Sequence, residues 1–306
     1  MATYVVKRLL LLVLSTLGLI LIIFLMMRLL PGDPALVYLG DYYTKADYRL
    51  VIEKFGLDRP FYIQFFSYLK GVIRGDLGNS IRTAQPVIRE LQRNFFFTIV
   101  LAVSSMCLAS VFGIIIGIYS ALRKNTISDH ISRILALVGI STPLFLMGIV
   151  LLLVFGYILG WFPIVGGGSL KQTILPAITL ASGRIAIITR LTRSSLLEEL
   201  KEDYVRTARS KGLLERVVIN KHVLKNAFLS IATIIGYQFG YVLGGSAITE
   251  IVFSRPGLGS LMVQSVFARD YPVVQGCILL FGILVAVVNL GVDLSYSIID
   301  PRIKYH

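Results

Sequence analysis

Acidic side chains are scarce in this chain, and so are the residues from which most active sites are made. Its 306 residues include 2 cysteines, 3 histidines and 1 tryptophan, and only 15% are Asp, Glu, Lys or Arg. Cys107 and Cys277 both fall inside apolar runs, so they read as small packing residues and imply neither a disulfide framework nor a metal site. His130, His222 and His306 stand far apart on segments expected to be cytoplasmic; no nucleophile with its base and no metal-ligand cluster can be built from them. There is no Gly-x-x-x-x-Gly-Lys-Ser/Thr phosphate loop, and the chain is expected not to hydrolyse ATP itself.

What the chain has in abundance is apolar surface. It is 56% hydrophobic with a mean hydropathy of +0.78, whereas a soluble domain is about 45–50% apolar and about 25% charged. That balance belongs to a membrane protein. The net charge of +13 has no compact basic domain to carry it towards nucleic acid. Basic residues gathered on one side of a membrane account for it.

The apolar runs divide the chain. Leu9 to Met27 can cross about 30 Å of hydrocarbon and lacks a cleavage site, so it reads as a retained first helix with a cytoplasmic N-terminus. Leu30 to Arg93 then forms an extracytoplasmic region, too aromatic for a disordered linker and expected to fold as short helices. Further spans are predicted at Phe95–Leu122, Ile134–Leu159 with a bend at Pro143, about Ile174–Leu191, Phe228 to about Thr249 with breaks at Gly236, Gly240, Gly244 and Gly245, and Val273–Ile299. Gly113 and Gly117 have the spacing that lets helices approach closely. The stretch from Glu250 to Pro272 is too apolar to sit freely in water and is expected to dip back among the helices. Three units result: residues 1–30, 31–93 and 94–306, the last a five-helix core. Lys and Arg concentrate in the loop at 123–133, in the hairpin described next and at the C-terminus, which puts both termini in the cytoplasm.

Between two of these spans lies a charged stretch, Ser194 to Ala227. Leu196, Leu200, Tyr204 and Ala208 recur every fourth residue, with Glu198, Lys201, Glu202, Arg206 and Arg209 on the other faces, and Gly212 follows Lys211 as a helix stop. A helix at about 199–212 is predicted to lie across the membrane surface. By periodicity alone it could equally be a solvated loop carrying positive-inside charge.

Arg206-Thr-Ala-(three residues)-Gly212 resembles the loop by which ABC importer permeases dock onto their ATPase subunits, usually written Glu-Ala-Ala-(three)-Gly. Arg206 and Thr207 replace the Glu and first Ala, and Lys225 stands where many permeases have Pro. Leu30-Pro-Gly-Asp-Pro34, Phe55-Gly-Leu-Asp-Arg-Pro60, Gly75-Asp-Leu-Gly78, Gly139-Ile-Ser-Thr-Pro143, Arg190-Leu-Thr-Arg-Ser-Ser195, Gly244-Gly-Ser246, Arg269-Asp-Tyr-Pro-Val273 and Asp300-Pro-Arg302 are, in this order, similar to the first permease of dipeptide, oligopeptide, glutathione and nickel importers.

The resemblance implies an all-α polytopic membrane protein of six transmembrane helices with the type I ABC importer permease fold, in a bacterial or archaeal cytoplasmic membrane. It implies as partners a second homologous permease, two ATP-binding subunits that hold ATP and Mg, and an extracytoplasmic substrate-binding protein, besides membrane lipid and without nucleic acid. Glu199, Glu202, Asp203, Tyr204, Arg206, Thr207, Ala208, Arg209, Lys211 and Gly212 would couple to the ATPases, bulk at Ala208 being expected to uncouple them. Arg184 lies ten positions after Ile174, roughly 15 Å along its helix and near mid-membrane. An arginine there faces a bundle interior or a watery path, so with Gly244 and Gly245 it is a candidate pathway residue, the plainer alternative being a pair with Asp293. Glu250, Ser254, Arg255, Pro256 and Gly257 are candidates for an external gate or a binding-protein contact, or else for a turn that closes the outer face. A nickel or metal-chelate importer permease is the nearest competing function. A secondary transporter or channel is the competing class, though internal repeats, frequent in that class, are not visible.

Overall fold

A chain this apolar must satisfy its backbone within each segment, and helices do that. The computed structural model describes residues 2–29, 34–39, 43–55, 58–166 and 169–299, and outside a single bridge between Asn79 and Pro86 the regular structure there is helical. Leu30 to Asp33, Gly56, Leu57 and the tail from Asp300, which carry parts of the motifs quoted above, lie outside the described residues.

Helix α1 (Ala2–Leu29) leads into the short α2 (Pro34–Leu39), α3 (Lys45–Phe55) and α4 (Phe61–Ile73). Phe24 of α1 meets Phe61, Phe65 and Tyr68 of α4 with ring centroids 5.0–5.9 Å apart, which ties the outer helices to the first span. Helix α5 (Val87–Leu122) begins two turns before the expected Phe95, because Val87 and Leu91 are buried against Leu258, Val273 and Cys277. Helices α6 (Ile127–Ser141) and α7 (Leu144–Leu151, widening into a π-helical stretch Leu152–Ile158) follow. Then come α8 (Leu170–Glu199), α9 (Asp203–Ser210), α10 (Glu215–Val217) and a π-helical stretch Val218–Val223. Helices α11 (Leu224–Val252), α12 (Leu258–Phe267) and α13 (Tyr271–Ile299) complete the described chain.

Among the described residues five segments are long and apolar enough to cross a membrane, and α6 and α7 pass that test only together, meeting at 104°. The expected bend at Pro143 is thus a sharp corner, since proline cannot continue the helix it follows. The corner does not reverse the chain. Asp129 pairs with Arg193, a Cβ on Gly139 would lie 3.3 Å from Ala186, one on Gly148 would lie 3.3 Å from Thr179, and the Val165 carbonyl accepts from Gln172. Contacts that descend α8 steadily in this way mean that α6 and α7 together cross once, giving six crossings among the described residues.

Helix α5 packs on α8 along most of its length, and glycine is the reason. A Cβ on Gly113 would come within 2.7 Å of Ile188 Cβ, and one on Gly117 within 2.6 Å of Thr192 Cβ. The fifth span departs from expectation: α11 runs unbroken through Gly236, Gly240, Gly244 and Gly245. Gly236 is there for space, since a Cβ would meet Val292 at 2.0 Å. Cys277 is buried, whereas Cys107 is exposed on α5.

Candidate functional site

The end of α5, the end of α8, helix α9 and the start of α11 share one apolar cluster, built from Ala121, Leu196, Val205, Ala208, Val218, Val223, Ala227 and Ile231. To reach it the chain must turn. Helix α8 therefore stops at Glu199, and Glu202 in extended conformation occupies the N-cap position of α9 without a side-chain hydrogen bond, with Asp203 in the first turn where the helix dipole favours an acid. The surface helix is consequently shorter than 199–212: Glu199 belongs to α8, and Lys211 and Gly212 follow α9, Gly212 turning the chain at φ 75°.

This seat sorts the coupling candidates. Val205 and Ala208 point inward; Glu202, Asp203, Arg206, Thr207, Arg209, Lys211 and Gly212 are exposed. The Tyr204 hydroxyl donates to Glu199 across the turn, and burial, with that carboxylate beside it, pushes the phenol above its ordinary range. Arg209 binds Glu215 at 2.6 and 3.1 Å, which raises its pKa further and joins α9 to α10. Arg206 has no side-chain partner among the described residues. Ala208, only 5% exposed, is a packing residue of the seat.

Sequence reasoning missed the contact that frames this end. Asp129 has no exposed side-chain surface; it binds Arg193 bidentately at 2.7 and 2.8 Å and accepts from Ser120 Oγ at 2.6 Å and from the Asn125 N–H at 2.9 Å. Every carboxylate lone pair in reach is used, and α5, α6 and α8 are pinned at one point. The signal was faint: a single acid, in the first turn of α6, within the otherwise basic stretch 123–133, and two arginines one turn apart at 190 and 193.

Midway along the bundle, Arg184 is half buried on α8. Its Nη1 donates to Gln238 Oε1 at 3.1 Å, and its guanidinium lies 5.5 Å from the Tyr241 ring centre. Asp293 is not its partner, because Asp293 pairs with Arg8 at 2.8 Å. Tyr237 and Tyr241 hydrogen-bond each other at 3.0 Å, yet remain 54% and 52% exposed. Gly244 and Ile248 continue that exposed stripe of α11, while Gly245 turns inward to Leu180. Two half-exposed phenols and an arginine at mid-helix are polar groups that lipid tails cannot satisfy.

At the other end, Glu250 and Arg255 are buried, so neither charged group is presented to the exterior. Glu250 accepts from Thr98 Oγ1 at 2.7 Å and from the Ser260 N–H at 2.9 Å; Arg255 donates to Thr173 Oγ1 at 3.0 Å and lies 5.8 Å from the Phe97 ring centre. Ser254 and Pro256 alternate with them and face outward. Gly257 leaves no room for a side chain: a Cβ would lie 2.2 Å from Glu250 Cδ. Its backbone is extended, so space is the constraint. Gly257→Ala is expected to cost about 1–3 kcal/mol by overpacking, read as a lower melting temperature in detergent, with Glu250→Gln milder because its amide oxygen still accepts one of the two hydrogen bonds. Among the described residues no group of His, Cys, Asp and Glu is arranged to hold a metal ion.

Residues 113–305 match the model of the binding-protein-dependent transport system inner membrane component family, and residues 1–102 match the N-terminal model of such membrane components. The chain is 43% identical over 305 residues, the whole of both chains, to glutathione transport system permease proteins of Salmonella choleraesuis strain SC-B67 and of Escherichia coli strain K12. Among solved structures, an inward-facing form of the MetNI methionine ABC transporter is similar with a TM-score of 0.58 at 19% identity, covering 69% of this chain and 96% of that one. An amino acid ABC transporter crystallised with histidines gives a TM-score of 0.52 at 18% identity, over 68% of this chain and 92% of that one.

Proposed function

This chain belongs to the family of binding-protein-dependent transport system inner membrane components, and from that premise we propose that it forms half of the translocation pathway of an ATP-driven importer of glutathione or short peptides. The observation that carries the substrate class is the end-to-end likeness to glutathione permeases. A second homologous permease faces the exposed stripe of α11, and two ATP-binding subunits, which hold ATP and Mg, grip α9. An extracytoplasmic binding protein delivers substrate near Ser254 and Pro256. With α9 inside, both termini are cytoplasmic.

The mechanism follows from where the charges lie. Glutathione and peptides carry carboxylates, and Arg184, held by Gln238 and flanked by Tyr241, offers a guanidinium with donors to spare. ATP binding would draw the ATPase pair together and move α9; α8 and α11, which share its apolar seat, would tilt and turn the pathway from inward- to outward-facing.

The test is uptake of labelled glutathione by the assembled transporter in liposomes. Arg184→Gln is expected to lower uptake about tenfold or more, one charge-assisted hydrogen bond being worth about 1.5–3 kcal/mol, with assembly by size-exclusion chromatography intact. Uptake without any ATP-binding subunit attached would reject the reading in favour of a secondary transporter.

A further inference from the structure

At the α9-side end of the bundle, α5, α6 and α8 leave a cavity of about 590 Å³ that neither the pathway nor the coupling helix uses. Its lining is two-natured: Ile134, Leu137 and Ile140 are apolar, whereas Arg133, Arg190 and Thr189 are polar. Arg133 and Arg190 have no ion-pair or hydrogen-bond partner among the described residues. The nearby acid cannot serve them, because Asp129 is already taken by Arg193, Ser120 and Asn125.

Two independent observations say what would fill the cavity. First, Thr189 is only 4% exposed and its Oγ1 has no hydrogen-bond partner among the described residues. A buried hydroxyl without a partner costs free energy, and a helical threonine normally spends it on the carbonyl one turn back. Second, Arg190 is six residues beyond Arg184, about 9 Å further along α8 towards α9, and the long arginine side chain snorkels the rest of the way to the interface. The guanidinium thus lies at headgroup level, with apolar wall beside it. That wall runs on to the outside of α6, where Leu135 is 65% and Val138 53% exposed.

We propose that the cavity is a site for an anionic phospholipid, its phosphate bound by Arg133, Arg190 and the Thr189 hydroxyl and its acyl chains lying on Ile134, Leu137 and Ile140. Cationic recesses between spanning helices recognise lipid headgroups by this combination of charge and depth. A free phosphate would leave the apolar lining wet, and a neighbouring protein would have to bury two acids to meet the two guanidinium groups. The site depends on the chain's place in the membrane, whatever the transported substrate.

The assembled transporter, carried in phosphatidylcholine nanodiscs doped with phosphatidylglycerol, tests it by native mass spectrometry of the lipid retained on this subunit. Phosphatidylglycerol should be enriched over phosphatidylcholine by about tenfold, and Arg133→Gln with Arg190→Gln should abolish the enrichment. Arg133→Lys with Arg190→Lys should restore part of it, and Arg123→Gln with Lys124→Gln, in the loop outside the cavity, should leave it intact. If the glutamine pair fails to assemble, the thermal shift of the wild-type complex on adding phosphatidylglycerol decides, and no shift beyond that with phosphatidylcholine overturns the proposal. Equal retention of both lipids, an equal loss in the loop variant, or complete displacement by millimolar inorganic phosphate would each overturn it. So would quantitative crosslinking of Leu137→Cys to the second permease.

Discussion

Asp129→Ala is expected to leave Arg193 as an unpaired charge among packed helices and to destabilise the chain by about 3–5 kcal/mol, the usual result of removing one partner of a buried ion pair. The side-chain exposures, 0% for Asp129 and 19% for Arg193, are what put the pair in that class; an exposed pair would be worth about 1 kcal/mol or less. Ser120 and the Asn125 N–H lose their acceptor as well. The loss should be read as a drop in melting temperature and in the yield of assembled transporter. Asp129→Asn should fall between, keeping acceptor atoms but no charge. Asp129→Leu with Arg193→Met should recover much of the loss, because apolar replacement of a whole buried pair is often neutral or better. If the double variant were as unstable as Asp129→Ala, hydrogen bonding to Ser120 and Asn125 would be the larger contribution.

Arg206→Glu is expected to act the other way round, sparing the permease and breaking its link to ATP. Arg206 is exposed on α9 with no side-chain partner among the described residues, so reversal costs the fold little. At an interface hot spot the same change would cost about 2 kcal/mol or more, roughly thirtyfold in affinity. ATP-driven uptake should collapse while the melting temperature of the isolated subunit stays put. Arg209→Glu should be less specific, since it places two acids together at the α9–α10 joint. Ala208→Leu should lower the melting temperature first, its extra carbons entering a closed apolar seat. Unimpaired uptake in Arg206→Glu would remove α9 as the docking element.

The helices could be read from the chain because hydrocarbon imposes a length on every apolar run, and Gly113 and Gly117 announced a close helix pair by spacing alone. Direction is another matter. Nothing in a hydropathy run says that α6 and α7 meet at 104°, and the four glycines of α11 look like breaks until Val292 is seen to need the room. Partners were harder still. Arg193 and Asp129 are 64 positions apart, Arg184 and Gln238 are 54 apart, and each arginine had several acids or amides within its possible reach. The helix α9 was legible from its periodicity and from Gly212 after it. Its inner and outer faces needed the turn at residues 200–202, which shifts the phase of the buried side chains from Leu196 to Val205 and Ala208.

Where Gly113 and Gly117 bring α5 against α8, almost no side-chain layer separates the two main chains. Rotamer changes are the usual way a protein soaks up a small displacement, and this seam has few to make. A push arriving at the foot of α8 would therefore be carried upward by both rods as a single stiff beam, and the travel lost at α9 would be small.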